Sequence, residues 1–176
     1  MRTRIVTSAA AAGLALTTFS APAHAATTTA GAQDPGGWVP ITETNREYPA
    51  GTVCSFGLRD DVVFQGEEYR VAQTYPDGTP LETDFRGPLL VRYTNESTGT
   101  SVERDLSGTA QLYSTPDHGS LWVSQSHFGL TVHPGDPYHA AGLFVLTGPS
   151  VFVVPPDHDI VVLAQTRVEN ICDTLG

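Results

Sequence analysis

His133-Pro-Gly-Asp136-Pro-Tyr-His139 gathers two imidazoles and a carboxylate within seven residues. Such a set could ligate zinc or copper from one side. Two prolines and a glycine run through it, so no regular element aligns the three groups. A surface turn with solvated histidines is the competing reading of His133, Asp136 and His139. Asp117-His118 and Asp157-His158-Asp159 set imidazoles beside carboxylates, the raw material of general-base catalysis. Both fall inside turn signals, where Asp serves the backbone, and adjacent side chains diverge. Glu82 with Asp84, and Glu103 with Asp105, would share a strand face. Carboxylates so spaced could serve glycoside hydrolysis or calcium; solvated outer faces account for them more simply. Asp60-Asp61 and Glu67-Glu68 are sequence neighbours, so on a strand they point to opposite faces and make no natural dyad. Arg104 is in phase with Val102 and Leu106. An inward arginine needs a carboxylate partner or a bound anion, so Arg104 marks a ligand site or else a local edge, a bulge or a structural ion pair.

Several machineries have no motif here. There is no Gly-x-Ser-x-Gly elbow, no His-Glu-x-x-His pair and no glycine-rich phosphate loop. No catalytic residue is assigned and no cofactor is expected.

The remaining reactive groups are Cys54 and Cys172, the chain's two cysteines. What they do depends on the compartment. Met1-Arg-Thr-Arg4 is a short basic stretch, Ile5 to Phe19 is mildly apolar, and Pro22-Ala-His-Ala25 ends in a small-x-small pattern. This reads as a cleavable export signal, residues 1–25, cut after Ala25. No twin-arginine pair and no lipid-anchor cysteine accompany it. In an oxidising compartment Cys54 and Cys172 are expected to form a structural disulfide rather than to supply a thiol nucleophile. Closing so long a loop is worth about 4 to 5 kcal/mol in the loop-closure model. The expected location is extracellular.

All 19 acids and seven of the nine basic residues follow the cut, so the mature net charge is −12, and every basic residue is arginine. Such a chain is repelled by nucleic acid and by anionic membrane surfaces. The greasiest later run, Leu143 to Val154, is interrupted by Thr147-Gly-Pro-Ser150, and no membrane span is expected after the signal.

Residues 26–50 are small, polar and turn-forming, and are expected to be a flexible arm in which Trp38, Val39 and Ile41 dock locally. Residues 51–176 are expected to form a single domain. Turn signals recur there, at Pro76-Asp-Gly78, Gly87-Pro88, Asn95 to Gly99, Ser107-Gly108, Pro116 to Gly119, Pro134 to Pro137, Gly148-Pro149 and Pro155-Pro-Asp157. Between them side chains alternate. Leu89, Val91 and Tyr93 oppose Leu90, Arg92 and Thr94; Leu121 and Val123 oppose Trp122 and Ser124; Ile160 to Val168 is long and β-branched. No window has a 3.6-residue period. The fold class is therefore all-β: an antiparallel barrel or sandwich of about eight to ten strands, with Cys54 in the first strand and Cys172 just after the last.

From Cys54-Ser-Phe56 onward the chain resembles an uncharacterised family of small secreted actinobacterial β-rich proteins with one N-terminal and one C-terminal cysteine. The likeness lies in Tyr93-Thr-Asn-Glu-Ser-Thr-Gly99, Ser101-Val102, Leu106-Ser-Gly108, Pro116-Asp-His-Gly-Ser120 and Asn170-Ile-Cys-Asp173. It implies a compact β-barrel or sandwich and brings no catalytic residues.

The leading functional expectation is a secreted, non-catalytic β-domain that binds an extracellular ligand: a small apolar molecule, a cell-wall polymer or a protein. Two alternatives stand beside it. One is a small extracellular enzyme, either a barrel cyclase or isomerase or a metal-assisted hydrolase. The other is a cell-surface or spore structural protein. Ligand identity and oligomeric state are not encoded in any motif.

Overall fold

The computed structural model describes residues 37–156 and 160–176. The expected signal (1–25), the first part of the expected arm (26–36) and Asp157-His158-Asp159 lie outside the described residues. The chain forms β1 (Val39–Pro40), β2 (Arg46–Tyr48), β3 (Leu58–Gln65), β4 (Glu68–Thr74), β5 (Pro80–Gly87) and β6 (Leu89–Asn95). There follow β7 (Ser101–Asp105), β8 (Gly108–Ser114), β9 (Ser120–Ser124), β10 (His127–Val132), β11 (Gly142–Val154), β12 (Val161–Asn170) and one helical turn, α1 (Ile171–Leu175). The larger sheet runs β1-β4-β5-β8-β9-β11-β10, with β12 also on β11; the smaller runs β2-β3-β6-β7. All pairings are antiparallel. The expected all-β class holds in its sandwich form, with two sheets rather than one closed barrel.

Among the described residues, twelve strands exceed the eight to ten expected, and the pairing registers explain why. Gln65 pairs with Leu89 and Glu68 with Arg86, so one register carries β3/β6 into β4/β5. Leu90 pairs with Asp105 and Gly87 with Gly108, so β7 and β8 also run on past a break in one register. Ser124 pairs with Ser150 and His127 with Thr147, so β9 and β10 are one interrupted strand along β11. From Leu58 onward the domain is thus an up-and-down meander of long strands, most of them bent at a corner.

The corner residues are Gly66-Glu67, Gly87-Pro88, Leu106-Ser107, Gln125-Ser126 and Gly148-Pro149. Three of the turn signals therefore bend the chain rather than reverse it. Proline removes a ladder donor, and Gly87 and Gly148 adopt φ of +131° and +88°, which breaks the pleat while the register survives on both sides. Hydrogen bonds stitch the corners together: Gly66 N to Pro88 O (2.9 Å), Leu106 N to Leu89 O (2.8 Å), Gln125 N to Thr109 O (3.0 Å) and Gly148 N to Ser126 O (2.7 Å).

The second part of the expected arm, 37–50, is built into the domain. β1 pairs with β4 of the larger sheet and β2 with β3 of the smaller. The intervening residues Ile41–Asn45 form a strap from one sheet to the other. Gln65 and Asn45 fasten it, accepting from Glu43 N (2.6 Å) and Val62 N (2.9 Å).

Two clusters fill the interior. In the first, Leu58, Val91 and Tyr93 of the smaller sheet meet Leu143, Val145, Ile171 and Leu175. In the second, Leu130, Val132, Leu146, Phe152 and Ile160 pack with Trp122, Phe128 and Phe144. Alternate residues of β11 serve opposite clusters, so this strand is buried on both faces. The Cys54–Cys172 disulfide is formed, with Cα atoms 5.3 Å apart, and abuts the first cluster. Cys54 lies in the turn between β2 and β3, not in the first strand, and Cys172 lies in α1. Asn170 caps α1, accepting from Cys172 N at 3.0 Å.

Candidate functional site

The inside of the bend is hollow. A cavity of about 570 Å³ lies between the two sheets. Tyr69, Phe85, Trp122 and Phe128 wall it on the side of the larger sheet, and Leu89, Val91 and Tyr93 on the side of the smaller. Leu106 and Leu143 close the gaps between these walls. The aromatic wall is continuous: ring centroids are 6.4 Å apart for Tyr69–Phe85, 5.3 Å for Phe85–Trp122 and 5.3 Å for Trp122–Phe128. Such spacings are those of tilted and edge-on aromatic pairs. The strap supplies Ile41, Glu43 and Thr44 to the lining, and Arg46, Glu67 and His127 add polar groups. Small residues make the room. A Cβ on Gly129 would stand 3.1 Å from Leu106 Cδ1 and 3.9 Å from the Tyr93 hydroxyl.

Glu67 is placed by the corner. Gly87 lets the end of β5 lie against the backbone of Gly66-Glu67, where a Cβ would fall 2.6 Å from Glu67 Cα. Ile41 N donates to Glu67 O at 2.8 Å. Neighbouring acids diverge as expected. Glu68 pairs with Arg86 at 3.0 Å, while Glu67 lines the cavity in phase with Tyr69. Burial, reinforced by the nearby Glu43 carboxylate, pushes the half-buried Glu67 carboxyl up to about 7. Burial likewise raises Asp60, against the opposing backbone hydrogen bond and charge of Arg46. Tyr93 is 2% exposed, and burial followed by the Asp60 charge raises its phenol.

The groups singled out in the sequence lie elsewhere. Arg104 does face a carboxylate: Nε and Nη2 donate to Glu169 Oε2 and Oε1 at 2.7 and 2.6 Å, joining β7 to β12. Arg104 is not part of the cavity lining. His133 is exposed, and Asp136 serves the backbone. Its Oδ1 accepts from Tyr138 N and His139 N and its Oδ2 from Ile160 N, each at 2.8 Å. Burial opposes ionisation of Asp136, but these three donors together hold it below the ordinary carboxylate range. The His139 Nε2 atom is buried without a hydrogen-bond partner. No group of three or more potential metal ligands gathers among the described residues. His118 occupies the β8–β9 turn with φ of +68°. The described histidines are therefore dispersed, and His127 alone of them lines the cavity. Glu82, expected on a solvated face, is 8% exposed and accepts from Gln73 (2.6 Å), Tyr113 (3.0 Å) and Gln111 (3.3 Å).

Glu67 was missed as a site residue. Like Arg104 it is in phase with apolar neighbours, because Glu67 alternates with Tyr69 and Val71. No family model, no curated protein and no solved structure matches the chain.

Proposed function

We propose that the protein is a secreted, non-catalytic binding domain that holds a small amphipathic molecule in the crook of its bent sheets. The cavity carries this reading. Protein interiors are ordinarily packed as densely as organic crystals, whereas ligand sites are concave, mostly apolar and about 300 to 1,000 Å³ in size. A continuous aromatic wall beside a few polar lining groups suits a ligand that is mostly apolar and carries a polar group. The disulfide suits an oxidising compartment, and among the described residues no helix is long and apolar enough to cross a membrane.

Native mass spectrometry of protein recovered from culture medium tests the reading, together with titration of Trp fluorescence by apolar probes. A bound small molecule, lost in Ala110→Phe and Thr131→Trp variants that fill the cavity, is the expected outcome. Folded protein that takes up no apolar probe, or uptake unchanged in both filled variants, would sink it.

One observation favours a second reading. Glu67 titrates near neutrality inside an apolar cleft, as a general base is tuned to do. In that case Glu67→Gln abolishes turnover of a bound compound while the compound still binds.

A further inference from the structure

We infer that the cavity selects an organic cation: a flat apolar body carrying an ammonium or quaternary nitrogen, with the charge seated beside Glu67. This rests on the binding role proposed above and names the ligand class.

The positive charges on the lining are already committed. Two arginines reach the lining, Arg46 and Arg86. Arg46 donates from Nη2 to Glu43 at 2.9 Å, and its backbone N donates to Asp60 at 2.9 Å. Arg86 pairs with Glu68, and its guanidinium carbon lies 3.8 Å from the centroid of the Trp38 ring. Each guanidinium thus has its carboxylate. Glu67 has none: its carboxylate makes no hydrogen bond or ion pair with any described residue. When ionised, Glu67 therefore places a negative charge with no described partner on the same lining as Tyr69, Phe85 and Trp122. A cation gains twice in such a place, from the carboxylate and from the ring faces. An anionic amphiphile, such as a fatty acid, would face Glu67 and Glu43 and could be neutralised only by drawing Arg46 from Glu43 or Arg86 from Glu68.

The elevated titration of Glu67 fits a carboxyl whose counter-charge arrives with the ligand. Uptake of a cation should then strengthen as pH rises from 6 to 8. The other titratable or charged groups on the lining are Glu43 and Arg46 from the strap side, Tyr69 on β4, Arg86 on β5, Tyr93 on β6 and His127 on β10.

Three matched probes test the inference by isothermal titration at pH 8: naphthylethylamine, naphthylethanol and naphthylacetate. The amine is expected to bind at least tenfold more tightly than the alcohol, and the acetate most weakly. Glu67→Gln should erase the preference for the amine and leave alcohol binding unchanged, with an unaltered circular dichroism spectrum. His127→Asn should keep the pH dependence. Equal affinities for amine and alcohol, tighter binding of the acetate, or an undiminished preference in Glu67→Gln would overturn the cation assignment and leave the binding role standing. Failure of all three probes to bind the folded wild type would overturn the binding role and the assignment together.

Discussion

The two ends of the space between the sheets are built by the same strands and finished in opposite ways. Near α1, Leu58, Ile171 and Leu175 fill the gap, and Leu58 and Ile171 are wholly buried. Asn95 Nδ2 also donates there to Leu175 O at 3.0 Å. At the bend, β6 contributes Leu89 and Val91 to the wall of a void of about 570 Å³ that the half-buried Glu67 also lines. Voids and unpaired carboxylates both cost stability. The contrast teaches that the sealed end, covalently tied, supplies the margin that allows the open end to stay open.

The largest test of that contrast is the disulfide. Replacing Cys54 and Cys172 together by Ser should lower stability by about 4 to 5 kcal/mol. Thermal melts should then drop by roughly 10 to 20 °C, and a reductant should reproduce the loss in the wild type. A near-unchanged melt would remove the sealed end as the source of stability. The next test compares truncations. Leu58→Ala should cost about 2 to 5 kcal/mol, read by denaturant unfolding. Leu89→Ala, at a partly buried side chain that lines the cavity and packs on the edge of that cluster, should cost less. Equal losses would mean that the two ends are packed alike.

The smallest test is by pH. Glu67 holds its proton up to about 7 in the folded chain, against an ordinary value of 4.5. Between those values the folded state binds more protons than the unfolded one, so this group's contribution to stability is complete below the lower value and is lost as pH rises through the upper. Screening of a half-exposed group reduces the loss to roughly 1 kcal/mol. Glu67→Gln should flatten this decline and be the more stable protein at pH 8. A parallel pH profile for the two proteins would show Glu67 to be solvated, and the open end to be less distinct than described.

Much of the scaffold is legible in the sequence. Alternation identifies the strands, and the paired cysteines identify the staple. Reversals at Pro76-Asp-Gly78, Asn95 to Gly99 and Pro116 to Gly119 fall where Gly, Asn and Asp place them. Corners are another matter. Gly87-Pro88, Ser107-Gly108 and Gly148-Pro149 carry the same local chemistry as reversals, since each needs a broken pleat and a missing donor. Whether the chain turns back or merely bends depends on the register held by the neighbouring strand, and no window of sequence contains that. The cavity follows the corners and was hidden with them. Ile41 to Tyr48 were obscured for a related reason. Their segment has too little apolar content to pack alone, but it finds partners in Gln65, Asp60 and the corner backbone at Glu67. Arg104 shows the converse. Its phase called for a carboxylate partner or a bound anion, and Glu169, 65 residues further on, is the carboxylate it meets.

The position of the sulfur–sulfur link has a mechanical corollary. Tension drawn between Trp38 and the end of α1 would travel along the short path through Cys54 and Cys172, leaving β3 to β12 slack inside a closed covalent ring. Of the strands, only β1 and β2 lie on the loaded path, so stretching would peel them and the strap between them from the hollow before any long strand is disturbed.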